Sequence, residues 1–301
     1  MKYVRRSLIF VVIIFIPYLL AFGFDFFFGI PGKTTHDIGV SHTLVKNLPH
    51  KIKETSGLIS FGNDLWTFND SGGEPELYAV DPHAGRIKRT LRIINAVNRD
   101  WEDIAVDSQY IYIGDFGNNL GNRRDLCIYK VPLALVPDDT VYSTATAEFI
   151  RFHFPDQKSF TFSLFDTPFD CEAMIASGDS LIVFTKDWRN HQTAAYSLSK
   201  LPGNQTARLL GRFDVQGLVT GADFNDTLSL LVLCGYAKQV PFIWLFNIKN
   251  KNELFSHPVE HLTFPSMIGA QTEGVVFHDP GSIWLSAEEN TREPALYSVE
   301  Y

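Results

Sequence analysis

Cysteine is scarce: 301 residues hold only Cys127, Cys171 and Cys234, far apart and odd in number. No C-x-x-C pair exists, so neither a disulfide framework nor a thiolate zinc site is indicated. Positive charge is short as well. Against 34 Asp and Glu stand 26 Lys and Arg, a formal charge of −8 that argues against nucleic acid and suits cations or cationic partners. The P-loop, G-x-S-x-G, H-E-x-x-H and the EF-hand loop are all missing. Past the first thirty residues, so is any sustained 3.6-residue apolar period.

Apolar residues, by contrast, make up 45% of the chain and aromatics 14%, with 25 Phe, a balance that leans towards sheet. Lys2, Arg5 and Arg6 precede an apolar run over residues 8–23, which Asp25 interrupts before Phe26. This reads as a signal anchor or a signal peptide over residues 1–30, with residues 31–37 as a linker. Two outcomes stay open. An uncut segment holds the rest of the chain outside the cytoplasm on the inner membrane; a cut one releases it, secreted or periplasmic.

Residues 38–301 carry a degenerate repeat. Aligning Ser56, Glu102, Glu172, Gly221 and Glu273 at the start of each copy gives intervals of 46, 70, 49 and 52 residues by subtraction. Each copy continues into short alternating strands bounded by Gly, Asn, Asp and Pro. Periods of about 40–50 residues with four strands apiece predict a single all-β propeller. Five blades are expected, with six if the long interval hides a degenerate one. Extra residues at 133–142 and 155–169 read as loop insertions. The last copy ends after its third strand, so the strand-like stretch near residues 38–47 is expected to supply the fourth and close the ring. A monomer is expected.

In such a fold the innermost strand of each blade lines the channel. The turn leading into it shares a face with the turn between strands two and three. The leading turns bring Glu54, Asp100, Trp101, Glu102, Asp103, Asp170, Glu172 and Glu273. The second turns bring Asp70, Asp115, Asn118, Asn119, Lys186, Asp187, Glu288 and Glu289. From these, a small-molecule or protein ligand is expected to meet Trp101, Glu102, Asp103, Asp115, Asn118, Asn119, Glu172, Lys186, Glu273 and Glu288. Oxygens clustered on rigid turns suit Ca²⁺, and Glu102, Asp115, Glu172 and Glu273 are the expected calcium set. Crowded carboxylates raise one another's pKa, making Glu102 and Glu172 the candidate catalytic acid or base. Trp101, Trp188 and Trp284 beside the turns are candidates for stacking a ligand or for packing blades. Asp, Ser and Thr at blade entries also cap turns, and a carboxylate there can bond backbone amides of the neighbouring blade, so a structural role is open at these positions.

Three other patterns carry less. Asn69-Asp70-Ser71-Gly72-Gly73 has the letters of a serine-protease nucleophile loop without the His and Asp contexts. His257 and His261 are four apart, but the intervening Pro258 spoils a helical metal pair. Asn204 and Asn225 begin glycosylation sequons.

Trp101-Glu102-Asp103-Ile104-Ala105, Gly114-Asp115-Phe116-Gly117-Asn118-Asn119, Asp170-Cys171-Glu172-Ala173 and Val219-Thr220-Gly221-Ala222-Asp223 occur in this order. Together they resemble an uncharacterised family of exported bacterial β-propellers with DWEDIA, GDxGNN, DxEA and VTGAD motifs, over about residues 50–301. More remotely the chain is similar to SdiA-regulated, esterase-like phytase and gluconolactonase-type propellers. That resemblance implies a cation on the channel, and no catalytic residue carries over from it. Two function classes follow: an acidic channel mouth that binds a ligand, cation or protein partner without chemistry, or a calcium-dependent hydrolase of an ester, lactone or phosphate ester. Gly221, where other copies have Glu, excludes a fully symmetric carboxylate ring.

Overall fold

A computed structural model describes residues 41–137, 139–250 and 253–301. The expected anchor, the linker and residues 38–40 lie outside the described residues. Among the described residues no helix is long and apolar enough to cross a membrane.

The strands form five sheets, the five blades of a propeller. Blade 1 runs Ile59–Phe61, Asp64–Thr67, Glu76–Asp81 and Arg86–Ile93. Blade 2 runs Trp101–Val106, Tyr110–Asp115, Cys127–Pro132 and Glu148–His153. Blade 3 follows with Asp170–Ser177, Ser180–Lys186, Thr193–Ser199 and Arg208–Phe213, and blade 4 with Leu218–Asn225, Leu230–Ala237, Val240–Asn247 and Pro258–Thr263. Blade 5 combines Gln271–Phe277, Ser282–Glu288 and Ala295–Glu300 with His42–Asn47, which pairs antiparallel with the third strand, His42 opposite Val299.

Among the described residues the long interval holds no sixth blade. Tyr142–Ala145, read from sequence as the end of a loop and the start of a blade 2 strand, lies parallel to Arg86–Ile93 as a fifth strand of blade 1. Gly203–Thr206, which contains the first sequon, does the same for Glu148–His153 of blade 2. Both cover edges that would otherwise present unpaired backbone groups.

Burial differs between the inner and the outer strands. Glu76–Asp81, Tyr110–Asp115 and Ser180–Lys186 are buried almost throughout, because both faces of a blade pack on neighbours. Outer strands such as Glu148–His153 alternate, with Ile150 and Phe152 inward and Glu148, Arg151 and His153 out. Successive side chains serve opposite seams. Ile111 and Ile113 join the core between blades 1 and 2, whereas Tyr112 joins the core between blades 2 and 3. The three cysteines are free and buried, Cys127 and Cys171 in these two seams and Cys234 in the core between blades 4 and 5.

Two carboxylates, Asp103 buried and Asp223 half-buried, pin neighbouring innermost strands. Asp103 accepts from the amides of Ile104 (2.8 Å) and Met174 (2.6 Å), and Asp223 from those of Phe224 and Phe277 (2.8 Å each). Each thereby links its blade to another blade's innermost strand.

On blade 4, His261 stacks on Trp244 with ring centroids 4.1 Å apart, and its edge meets Phe242. Burial pushes its pKa down to about 4. The unfolded chain therefore takes up a proton near pH 6.5 that the folded chain refuses until about pH 4. Stability present above pH 6.5 is lost as the pH falls through that window, by roughly 1 kcal/mol for this partly exposed ring. Urea unfolding at pH 7.5 and pH 4.5 should show this loss shrinking in His261→Gln; an identical loss in the variant would refute the assignment.

Candidate functional site

The mouth is built by a repeated irregularity. In four blades the register of strand one against strand two slips by one residue, between Trp101 and Asp103, Cys171 and Ala173, Val219 and Gly221, and Thr272 and Gly274. The residues left in the bulges are Glu102, Glu172, Thr220 and Glu273. Blade 1 shows the same offset between the Thr55–Asn69 bridge and the Ile59–Trp66 pair, around Ser56. A bulge re-aims its extra side chain. Alignment by sequence had set Gly221 against the glutamates; the structure puts Thr220 there. A Cβ on Gly221 would lie 2.6 Å from the Glu273 carbonyl oxygen, so close backbone approach requires glycine. Ser56 and Thr220 donate their hydroxyls to the carbonyls of Glu102 (2.5 Å) and Thr272 (2.6 Å) in adjacent blades. The two hydroxyl positions therefore serve the seams.

Glu102 is only 6% exposed, and among the described residues its carboxylate has neither a hydrogen-bond donor nor a cation. Its neighbours are acids. One oxygen each of Asp70, Asp100 and Glu102 lie within 4.8 Å of one another. Asp70 stands in the second turn of blade 1, which Asn98 braces by donating to the carbonyls of Asn69 (2.8 Å) and Asp70 (2.9 Å). Gly117 closes the cradle from the side. A Cβ there would sit 2.0 Å from Glu102 Oε1 and 2.5 Å from Asp100 Oδ2, so any side chain would drive the carboxylates apart.

The remaining carboxylates are mostly engaged. Glu172 lies 3.2 Å from Lys186 Nζ, both of them buried. Lys186 also faces the rings of Trp188 and Tyr236, at 4.9 and 5.5 Å. Asp115 is held by Arg123 at 2.8 Å and by the Tyr129 hydroxyl at 3.2 Å. Asp170 accepts from the Asn118 amide (2.5 Å) and from Trp188 Nε1 (2.7 Å). Gln271 donates to Glu273 at 2.8 Å. Glu288 is half-buried at the mouth, in register with Gln271.

Burial pushes the Asp70, Glu102, Glu172, Glu273 and Glu288 carboxyls up, and like charge adds to it. For Asp100, burial and then Asp170 raise the pKa to about 7. Burial alone would lower Lys186, but Glu172 and the acids around it outweigh that and hold it charged.

Of the other expected site residues, Asn119 is half-buried, its carbonyl accepting the Phe165 amide at 3.0 Å. Asn118 is a bracket: it donates to the Phe169 carbonyl and accepts the Arg123 amide. Trp101 is fully buried, edge-on to Phe68 with its indole donating to the Val97 carbonyl, so it offers no stacking face. Asp103 lies in the seam described above. Trp284 is buried against His278. Only Trp188 stands at the mouth, packed 4.5 Å from Phe165, which adopts φ 52 in the left-handed region that a bulky residue enters only under constraint.

Of the expected calcium set, then, the structure brings only Glu102 into the close triad. Asp115, Glu172 and Glu273 each have partners. Asp70 and Asp100, counted in the sequence only as turn carboxylates, take their places. The signal for Asp70 was its turn, Asn69 to Gly73, equivalent to the Asp115 turn.

No protein-family profile matches this chain, and no curated protein matches it. Solved structures resemble it in shape. A glucose dehydrogenase is 9% identical with a TM-score of 0.49, covering 87% of this chain and 99% of its own. A putative 6-phosphogluconolactonase from Bacteroides uniformis is 12% identical with a TM-score of 0.41, covering 83% and 67%.

Glu102 and Glu172 occupy the same bulge in adjacent blades with opposite surroundings, so neutralising them should have opposite effects. In chelator at pH 8, Glu102→Gln should raise the unfolding free energy by about 1 kcal/mol, and Glu172→Gln should lower it by about 3 kcal/mol by stranding Lys186. Denaturant unfolding of both variants reads this. A loss in Glu102→Gln as large as in Glu172→Gln would mean that Glu102 has a structural partner.

Proposed function

We propose that this protein is an exported, membrane-anchored propeller of the cell envelope that binds a divalent cation, calcium first, at Asp70, Asp100 and Glu102, and through it holds a ligand at the channel mouth. One observation carries the reading: among the described residues the buried Glu102 carboxylate has no partner other than two acids close enough to share an ion with it. Two oxygens on one Ca²⁺, each about 2.4 Å away, lie at most about 4.8 Å apart. The triad meets that limit. Three carboxylates leave several of the roughly six to eight calcium positions for water or ligand. Trp188, half-buried at the mouth, offers an apolar surface for that ligand.

Binding without chemistry fits this geometry better than hydrolysis. A base must be free to take a proton. Glu172 is tied to Lys186, and a Glu102 that ligates an ion is not available as a base.

Calorimetric titration of the full-length chain in a neutral detergent should show one Ca²⁺ site, with affinity on the order of 10⁻⁴ M or tighter. Asp70→Asn combined with Asp100→Asn should abolish it. No heat with millimolar Ca²⁺, Mg²⁺ or Mn²⁺ would refute the cation site. Chelator-sensitive turnover of an ester, lactone or phytate would overturn the binding reading in favour of the hydrolase.

A further inference from the structure

The protein is acidic, yet away from the mouth one cavity has the opposite character. It measures about 520 Å³ and lies between the outer strand of blade 2 and the segment that follows it, and no carboxylate lines it. Arg123, Arg124 and Lys158 supply cations; Phe152, Phe154 and Phe160 supply apolar surface. That volume falls in the range of small-molecule sites, which combine apolar walls with a few placed polar groups.

Its cations differ in how far they are committed. Arg123 is spent on Asp115, Asp125 and the Gly117 carbonyl, so it forms a fixed wall. Arg124 stacks its guanidinium 3.7 Å from the centre of the Phe160 ring and has no carboxylate partner among the described residues. Stacking occupies the face of a guanidinium and leaves its in-plane N–H donors available for a planar or tetrahedral anion. Lys158 donates to the Pro155 carbonyl at 2.5 Å and keeps further N–H donors. The acids in the same segment are engaged elsewhere, Asp156 by Tyr196 and Arg212 and Asp166 by Ser163 and Arg189.

The walls are fixed. Phe152 and Phe154 are buried and meet edge-on at 5.5 Å. Gln157, 6% exposed, donates to the Gly121 carbonyl at 3.1 Å and so ties the segment to blade 2. Residues 155–169 exceed the length of the blade repeat, and no strand of the sheets is formed by them. A segment that the fold does not require here builds one side of a basic, aromatic cavity.

We propose that this cavity binds an aromatic anion, its carboxylate or phosphate on Arg124 and Lys158 and its ring against Phe152, Phe154 and Phe160. The site is independent of the cation at the mouth, so it is tested in chelator. The full-length chain in neutral detergent is titrated with 1-naphthoate, 1-naphthyl phosphate, neutral 1-naphthalenemethanol and inorganic phosphate. At least one of the two naphthyl anions should bind about tenfold more tightly than the alcohol and than phosphate alone. Arg124→Gln with Lys158→Gln should erase that advantage, and Phe160→Ala should weaken all three naphthyl compounds. Arg124 and Lys158 are exposed, so an unchanged thermal melt verifies that the double variant is folded. Equal binding of alcohol and anions, phosphate binding as tight as naphthyl phosphate, or anion binding untouched by the double variant would overturn the proposal.

Discussion

One extra residue in each innermost strand governs the top of this propeller. A strand that kept perfect two-residue alternation into the mouth would send its last side chains alternately to the two seams, as Ile104 and Ala105 of the blade 2 innermost strand do lower down. The slip at Glu102, Glu172, Thr220 and Glu273 breaks that alternation where the seams end. Carboxylates that the seams would reject are thereby aimed at the channel axis. The cost is desolvation, visible in the raised carboxyl pKa values around the mouth. A marginally stable domain retains such a cluster only if the sheets beneath are strong enough to hold it.

The blades have resolved the resulting repulsion differently. Blade 3 carries its own cation, Lys186, and blade 2 has Arg123 for Asp115. Blades 1 and 4 substitute hydroxyls and close a seam with them. Between blades 1 and 2, among the described residues, no cation is paired with Asp70, Asp100 or Glu102, and Arg123 and Lys186 only partly offset the crowding at Asp100. The mouth is therefore polarised, with internal compensation on one side and uncompensated charge on the other.

Much of the fold was legible because a propeller repeats its turn chemistry. Gly, Asn and Asp punctuation marked the strands, and the unpaired last sheet pointed to closure by the stretch before Ser56, seen as His42–Asn47 against Ala295–Glu300. The parallel fifth strands were not legible. Tyr142–Ala145 and Gly203–Thr206 are short, largely exposed and far from their partners in sequence, so no local pattern betrays them. At the site, the sequence placed the right turns on the right face but could not assign partners. Whether an acid is free depends on what folds over it: Arg123 for Asp115, Lys186 for Glu172, nothing for Glu102. The single-residue error at Gly221 has the same origin, since bulge position is set by backbone contact across the seam.

The borrowed strands have a mechanical consequence. Blade 1 is finished by residues that lie within the span of blade 2, and blade 2 by residues that lie within the span of blade 3, so these three sheets are laced in succession and share load. Blades 4 and 5 have no such lacing among the described residues, and blade 5 is completed by one six-residue strand. The ring is thus expected to be stiff on the side that carries Asp100 and Glu102 and compliant on the side of Tyr236 and Glu288. Breathing of the channel would then widen one lip while the other keeps its shape.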